Sequence, residues 1–356
     1  MSVRKLTYAA LGAAALLAVT PVSASAHAPA RTAAPISTKV VAPFNLAVHG
    51  SRLLVADGGT STLSEVLGGN KLRTIATGPG SGGEVAGVAI SNNGRYTAYT
   101  TAEHSSPEVN AHGTLHILGP YGSRLTVDLA GYESRRNPDK RNTYGTTSTD
   151  PCVTAAVAAA TGGPATYTGE KDSHPYSVAA YGRSSWIVAD AGGNDLLKVD
   201  ARGRVSTLAV LPVQPLVITA QIAASLHVPD CVIGTTYNFE PVPTDVEVGR
   251  HGHVFVTTLP GGPEIGARGS VYRVHPRNGT SHRVATGFGG PTNLALYRGR
   301  IYVSEYYAGQ VSTVSHGGPR LYKSLPGVVS VESGRGHLYA GTFASDAGPG
   351  TIVRLR

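Results

Sequence analysis

The stretch Asn293-Leu294-Ala295-Leu296, then Ile301-Tyr302-Val303-Ser304-Glu305, then Val311-Ser312-Thr313-Val314 reads as three short apolar strands separated by glycine-bearing turns. β-branched and aromatic residues in the middle segment suit a pleated surface buried against neighbours. The pattern recurs five more times. Asn45–Val48 leads through His49-Gly50 to Leu53–Asp57 and Leu63–Val66, and Gly87–Ile90 leads to Tyr96–Thr100 and Thr114–Ile117. Ser177–Ala180 is followed by Trp186–Asp190 and Leu196–Val199, and Asp245–Val248 by Val254–Thr257 and Ser270–Val274. Val329–Glu332, Leu338–Gly341 and Thr351–Arg354 complete the series. Six repeats of three strands, each with a fourth outer strand, predict an all-β chain folded as a six-bladed β-propeller.

Composition agrees with this. Among 356 residues there are 45 Gly and 23 Pro, with 41% hydrophobic and 15% charged residues, enough apolar material for a core in a chain dense with turns. Disorder, collagen and a bundle of long helices are excluded. The sixth repeat ends at the last residue without an outer strand, and Ser37–Val41 is β-branched and precedes the first repeat. It is therefore expected to supply that strand and close the ring, which removes an exposed sheet edge.

Two intervals between repeats are too long. The excess falls at about 131–173 and 211–239, and each insertion carries an Ala-rich helical stretch, Val153–Ala160 and Val217–Leu226. Because successive strands are antiparallel, both insertions and the longer turns 101–112 and 259–268 are expected on one face of the disc. Long loops gathered on one face of a rigid scaffold are where binding or catalysis usually resides.

Arg4 and Lys5, an apolar run from Leu6 to Val19 and the small-residue site Ala24-Ser25-Ala26 predict a signal peptide at 1–26, leaving 27–356 as one propeller domain. The expected product is secreted, monomeric and without a membrane anchor. The formal charge of +8 includes Arg4 and Lys5. Its one local cluster, Arg135, Arg136, Lys140 and Arg141, is diluted by Glu133 and Asp139, reads as a solvated loop and argues against nucleic acid as a partner. Cys152 and Cys231 are the only two cysteines. Export, an even count and insertions that overhang the same face predict a disulfide between them.

The residues Val242-Pro243-Thr244-Asp245-Val246-Glu247-Val248, Leu259-Pro260-Gly261-Gly262-Pro263 and Gly266–Val274 resemble the ScyD/ScyE family, as do His174-Pro175-Tyr176 and Val188–Asn194. The resemblance implies an exported six-bladed propeller of the NHL type. It implies no established catalytic mechanism and no catalytic residues.

Aligned, the repeats expose two rings of positions. Asn45, Gly87, Ser177, Asp245, Asn293 and Val329 stand at the mouths of the first strands, and Asp57, Thr100, Asp190, Thr258, Glu305 and Thr342 at the ends of the second. Glu84 and His174 lie just before their first strands. Oxygen ligands converging on a channel mouth suit a hard cation, so Ca²⁺ is the cofactor considered, with Asp245, Asn293, Asn45, Glu84, His174, Asp190 and Glu305 as ligand or metal candidates. Asp57 and Asp190 also read as groups that satisfy the backbone of the following turn.

Weaker signals carry less. Gly78–Gly83 satisfies GxGxxG but a strand follows it, His251-Gly252-His253 reads as a hairpin turn on the opposite face, and Asn278-Gly279-Thr280 is a glycosylation sequon. The leading functional expectation is a secreted propeller that binds a small molecule, glycan or protein on its insertion face. The alternatives are a metal-dependent hydrolase or lactonase, and a protein-interaction scaffold.

Overall fold

The computed structural model describes residues 34–80, 83–106, 109–262, 265–345 and 348–355; the expected signal peptide, and Ser81 and Gly82 within the GxGxxG stretch, lie outside them. The described residues form seven four-stranded antiparallel sheets. In five of them the strands run outward in chain order, and a sixth does so up to its outermost strand. Their first and second strands are Pro43–His49 and Arg52–Asp57, Gly83–Ile90 and Thr97–Ser106, Pro175–Tyr181 and Ser185–Asp190. The remaining pairs are Pro243–Val248 and Val254–Thr258, Pro291–Tyr297 and Arg300–Glu305, Val328–Gly334 and His337–Thr342. The sixth sheet takes its outermost strand from Ser37–Val40, which pairs with Gly350–Leu355 through Ser37 opposite Ile352 and Val40 opposite Gly350.

In these six sheets both faces are apolar because neighbouring sheets pack against each. Along Trp186-Ile187-Val188-Ala189 the side chains alternate. Trp186 and Val188 pack with Leu115 and Ile117 of the second sheet, while Ile187 and Ala189 pack with Val246 and Val256 of the fourth. The same sandwiching joins the sixth sheet to the first, where Tyr339 and Ile352 meet Leu46, Leu53 and Val55. Burying both faces explains why the second strands read as continuous apolar runs rather than as alternating ones.

The insertions hold more structure than their sequence announces. Helix α1 (Leu129–Arg136) is capped by Asp128, which accepts from the Gly131 N–H at 2.7 Å. Helix α2 (Pro151–Thr161) is capped by Asp150, which accepts from Cys152 and Val153, and ends at Gly162 with φ 69°. Helix α3 (Ala220–Leu226) is capped by Thr219. The Ala-rich stretches are helical as expected, except that the second helix begins only at Ala220 and Val217 ends a strand. The short strands Thr166–Thr168, Thr143–Thr146, Thr236–Phe239 and Gln214–Val217, in that spatial order, make the seventh sheet, two from each insertion. Three- and four-residue strands are too short to display a period, so α1 and this sheet were not expected.

Cys152 and Cys231 form the predicted disulfide, with Cα atoms 6.3 Å apart. It joins α2 to the second insertion over a shared apolar core of Ala156, Ile218, Ala223, Val232, Tyr237 and Phe239. Arg135, Arg136, Lys140 and Arg141 are exposed, as a solvated face requires. Among the described residues no helix is long and apolar enough to cross a membrane.

Candidate functional site

Side chains from the first strands tie several neighbouring sheets together. Asn45 Oδ1 accepts from the Val88 N–H at 3.3 Å, Asp245 Oδ2 from the Leu294 N–H at 2.8 Å, and Asn293 Oδ1 from the Val331 N–H at 2.9 Å. Ser330 Oγ donates to the Pro43 carbonyl at 2.6 Å, linking the sixth sheet back to the first. Strand pairing corrects the alignment at two places. Asn45, Ser177, Asp245 and Asn293 sit opposite Ala56, Ala189, Thr257 and Ser304, and the equivalent in the sixth sheet is Ser330, opposite Gly341, rather than Val329. In the second ring the equivalent residue is Thr101 rather than Thr100. A register slip of one turns a side chain to the other face, so Val329 packs in the core while Ser330 takes the ring position.

First strands that are not neighbours in the series also meet. Asp245 Oδ1 accepts from Asn45 Nδ2 at 3.2 Å and from the Ser177 hydroxyl, so one carboxylate joins the first, third and fourth sheets. Burial drives the Asp245 carboxyl up to about 7 against the pull of these hydrogen bonds. Glu247, two residues farther along the same strand, and Glu332 of the sixth sheet are also raised, first by burial; Glu332 reaches about 8, and each feels the negative charge of Asp245.

The second-ring carboxylates cap loops. Asp57 accepts from the Val41 and Ala42 N–H groups at 2.9 and 2.8 Å, and Asp190 from the Ser173 hydroxyl and the His174 N–H, both at 2.6 Å. Glu305 accepts from the Gly289 N–H at 2.7 Å and from Gln310 Nε2 at 3.0 Å. Each thereby holds the segment that enters its own first strand, and Asp190 in particular fixes the backbone of His174.

Glu84 and His174 meet elsewhere. Glu84 lies inside its strand rather than before it, opposite Ala102, which puts it on the same sheet face as His104 two residues on. His174 Nε2 pairs with Glu84 Oε1. One ligand atom from each of Glu84, His104 and His174 lies within 4.8 Å of the others, an arrangement able to hold a metal ion. His104 Nδ1 is buried without a hydrogen-bond partner. Burial opposes both charges of the pair, yet the two groups sustain each other: His174 is raised by Glu84, and Glu84 is lowered by His174 and His104.

Aromatic rings wall this cluster. His104 and Tyr176 each present an edge-on ring to His174, at 5.5 and 5.9 Å, and Phe44 packs 5.5 Å from Tyr176. Phe44, Tyr176 and Phe343 share an apolar patch with Ala42 and Ala86, and Tyr306 lies 6.4 Å from Phe343. Burial, with Glu84 and Asp245 nearby, holds the Tyr176 phenol in its neutral form. His104 was missed because its strand was expected to end at Thr100. Only the pairing of Glu84 with Ala102 reveals the juxtaposition.

His251 and His253 flank an exposed turn and Asn278 is exposed in another. Asn45 and Asp245 are brought together, Asn293 stands on the same ring, and Glu84 and His174 form the separate cluster with His104.

No family model matches the chain, and no curated protein matches it. Solved structures do. The chain is similar to a PQQ-bound aldose sugar dehydrogenase from Streptomyces coelicolor, with 11% identity, TM-score 0.54, and coverage of 91% of this chain and 96% of that one. A glucose dehydrogenase gives 12% identity, TM-score 0.50, and coverage of 91% and 98%. Virginiamycin B lyase from Staphylococcus aureus gives 11% identity, TM-score 0.47, and coverage of 89% and 85%. At such identities the likeness concerns the fold, and the fold is a β-propeller.

Proposed function

We propose that this protein is an exported six-bladed propeller, closed by its amino-terminal strand, whose insertion-bearing face carries a metal-dependent hydrolase site for a small uncharged ester or lactone. The cyclic chain of contacts between first strands supports the blade number, and the disulfide fits an oxidising compartment. The similarity to the ScyD/ScyE motifs is in keeping with both.

One observation carries the functional reading: Glu84, His104 and His174 offer two imidazoles and a carboxylate within 4.8 Å of one another. This mixed nitrogen and oxygen set suits zinc or a neighbouring transition metal better than Ca²⁺, which prefers oxygen alone. A metal held there supplies polarisation of a carbonyl and acidification of water. Glu84 and Asp190 orient His174, the first through its ring and the second through its backbone. Phe44, Tyr176 and Phe343 form a wall that favours an uncharged, partly apolar substrate and limits water at the cluster.

The test is a metal inventory of the purified protein, followed by assays against a panel of lactones and aryl esters before and after chelation. A stoichiometric transition metal and a chelator-sensitive activity, both lost in His104→Ala, are expected. Folded protein that binds no zinc and cleaves none of the panel would leave the site a ligand-binding one and defeat the hydrolase reading.

A further inference from the structure

The second sheet carries a hairpin longer than any of its counterparts. Its second and third strands, Thr97–Ser106 and Val109–Leu118, are ten residues each, whereas the second strands of the other five sheets in the series are five or six. The first strand accompanies this hairpin only as far as Glu103, which sits opposite Gly83. His104 lies one residue beyond, on an arm where its partner across the hairpin is Asn110. A strand that has lost one of its two neighbours opens more readily than the sheet behind it.

His174 is held from another direction. Its carbonyl accepts from the Ala191 N–H at 2.8 Å, and its own N–H donates to Asp190. A Cβ on Gly192 would stand 2.9 Å from the His174 nitrogen and 3.0 Å from the Asp172 carboxylate carbon, so residues 172–174 are seated on the Asp190–Asp195 turn of the third sheet. The two imidazoles of the cluster therefore belong to separate supports. Two features join those supports. Asn110 Nδ2 donates to Asp172 Oδ1 at 2.8 Å, which links the residue opposite His104 to the residue two before His174. Gly113, farther along the Asn110 strand, approaches the same segment closely: a Cβ there would stand 2.5 Å from Ser173 Oγ and 2.9 Å from Pro175 Cδ. A side chain at that position would push the hairpin off the His174 segment and pull the amide from its carboxylate.

We infer that Asn110 and Asp172 form a latch that fixes the His104 arm against the His174 segment, which makes both of them positioning residues of the cluster; the inference rests on the metal-site reading above and deepens it. With the latch open, Glu84 and His174 still pair through their own contact, while His104 rides on the loosened arm. The site then falls from three ligands to two. Groups that orient metal ligands in this way typically change metal affinity about 10–100-fold.

Exchanging the two residues reverses donor and acceptor yet keeps one amide facing one carboxylate, and this gives the test. The full chain, free of metal, is followed by hydrogen exchange in the second-sheet hairpin, and Co²⁺ binding is titrated by its visible absorption. Asn110→Asp sets two carboxylates against each other, so the arm beyond Glu103 should exchange several-fold faster and Co²⁺ affinity should fall about 10–100-fold. The double variant Asn110→Asp with Asp172→Asn should recover most of both losses, which a general loss of packing would not allow. Asn110→Ala removes the donor without adding charge and replaces the single variant where that one fails to fold. Arm exchange and Co²⁺ affinity unchanged from the parent, or a double variant no better than Asn110→Asp, overturns the latch. Arm exchange that is raised by Asn110→Asp and restored by the swap, in a protein that binds no Co²⁺, upholds the latch and defeats the metal reading instead.

Discussion

Asn45 Nδ2 donates to Asp245 Oδ1 across 3.2 Å, although the two residues stand 200 positions apart in the chain. One belongs to the first sheet and the other to the fourth, and Ser177 of the third donates to the same oxygen. A carboxylate expected to wait for a cation is thus already engaged by protein donors, and its other oxygen holds the Leu294 N–H of the fifth sheet.

Asp245→Ala should therefore act first on stability. It strands three donors in a buried setting, a loss of about 3–5 kcal/mol by the cost of breaking a buried charged network. Equilibrium denaturation measures it. A variant within about 1 kcal/mol of the parent would mean that the donors find other partners.

The buried carboxyls of Asp245, Glu247 and Glu332 predict a dependence on pH. Asp245 at about 7 and Glu332 at about 8 sit well above ordinary carboxylates near 4, mainly through burial, so the folded state holds protons that the unfolded state has released. The associated stability is complete below pH 4 and is lost as pH rises through the folded values. Unfolding midpoints should fall between pH 5 and 8, and Glu332→Gln should recover part of the fall at pH 8 while changing little at pH 5. A flat parent profile across that interval contradicts the prediction.

Gly87 occupies the ring position of the second sheet because the neighbouring strand leaves no room for a side chain. A Cβ there would stand 2.8 Å from the Ser177 Cα and 2.9 Å from Thr100 Oγ1, and the Gly87 N–H donates to that same hydroxyl at 2.8 Å. Gly87→Ala should cost about 1–3 kcal/mol through overpacking and separate the second and third sheets locally. Hydrogen exchange confined to their first strands reports it.

Replacing Cys152 and Cys231 together by Ser opens a cross-link between residues 79 positions apart. The chain-entropy argument gives a loss of roughly 4 kcal/mol. Faster hydrogen exchange should concentrate in α2, α3 and the seventh sheet, leaving the other six sheets protected. Uniform loosening of the whole chain is the outcome that speaks against a local clasp.

The repeated strands were legible because both faces of each sheet are buried, which writes an unbroken apolar run wherever a second strand passes. The disulfide was legible because two cysteines have one pairing, and the two long intervals were expected to place them on one face. The capping roles of Asp57 and Asp190 followed from their place at strand ends. Val329 was misplaced by one residue because an apolar repeat has no marker for which of two adjacent residues faces inward; the pairing of Ser330 with Gly341 decides it.

Local sequence thus determined what repeats: strand, turn, strand, and the residue types that survive between two packed sheets. Tertiary structure alone decided what meets. Glu84, His104 and His174 come from two strands and the segment entering a third, with nothing in their spacing to join them. Periodicity reports the burial of a segment against an unspecified neighbour, whereas a site is made by which neighbour it is and in which register the two lie.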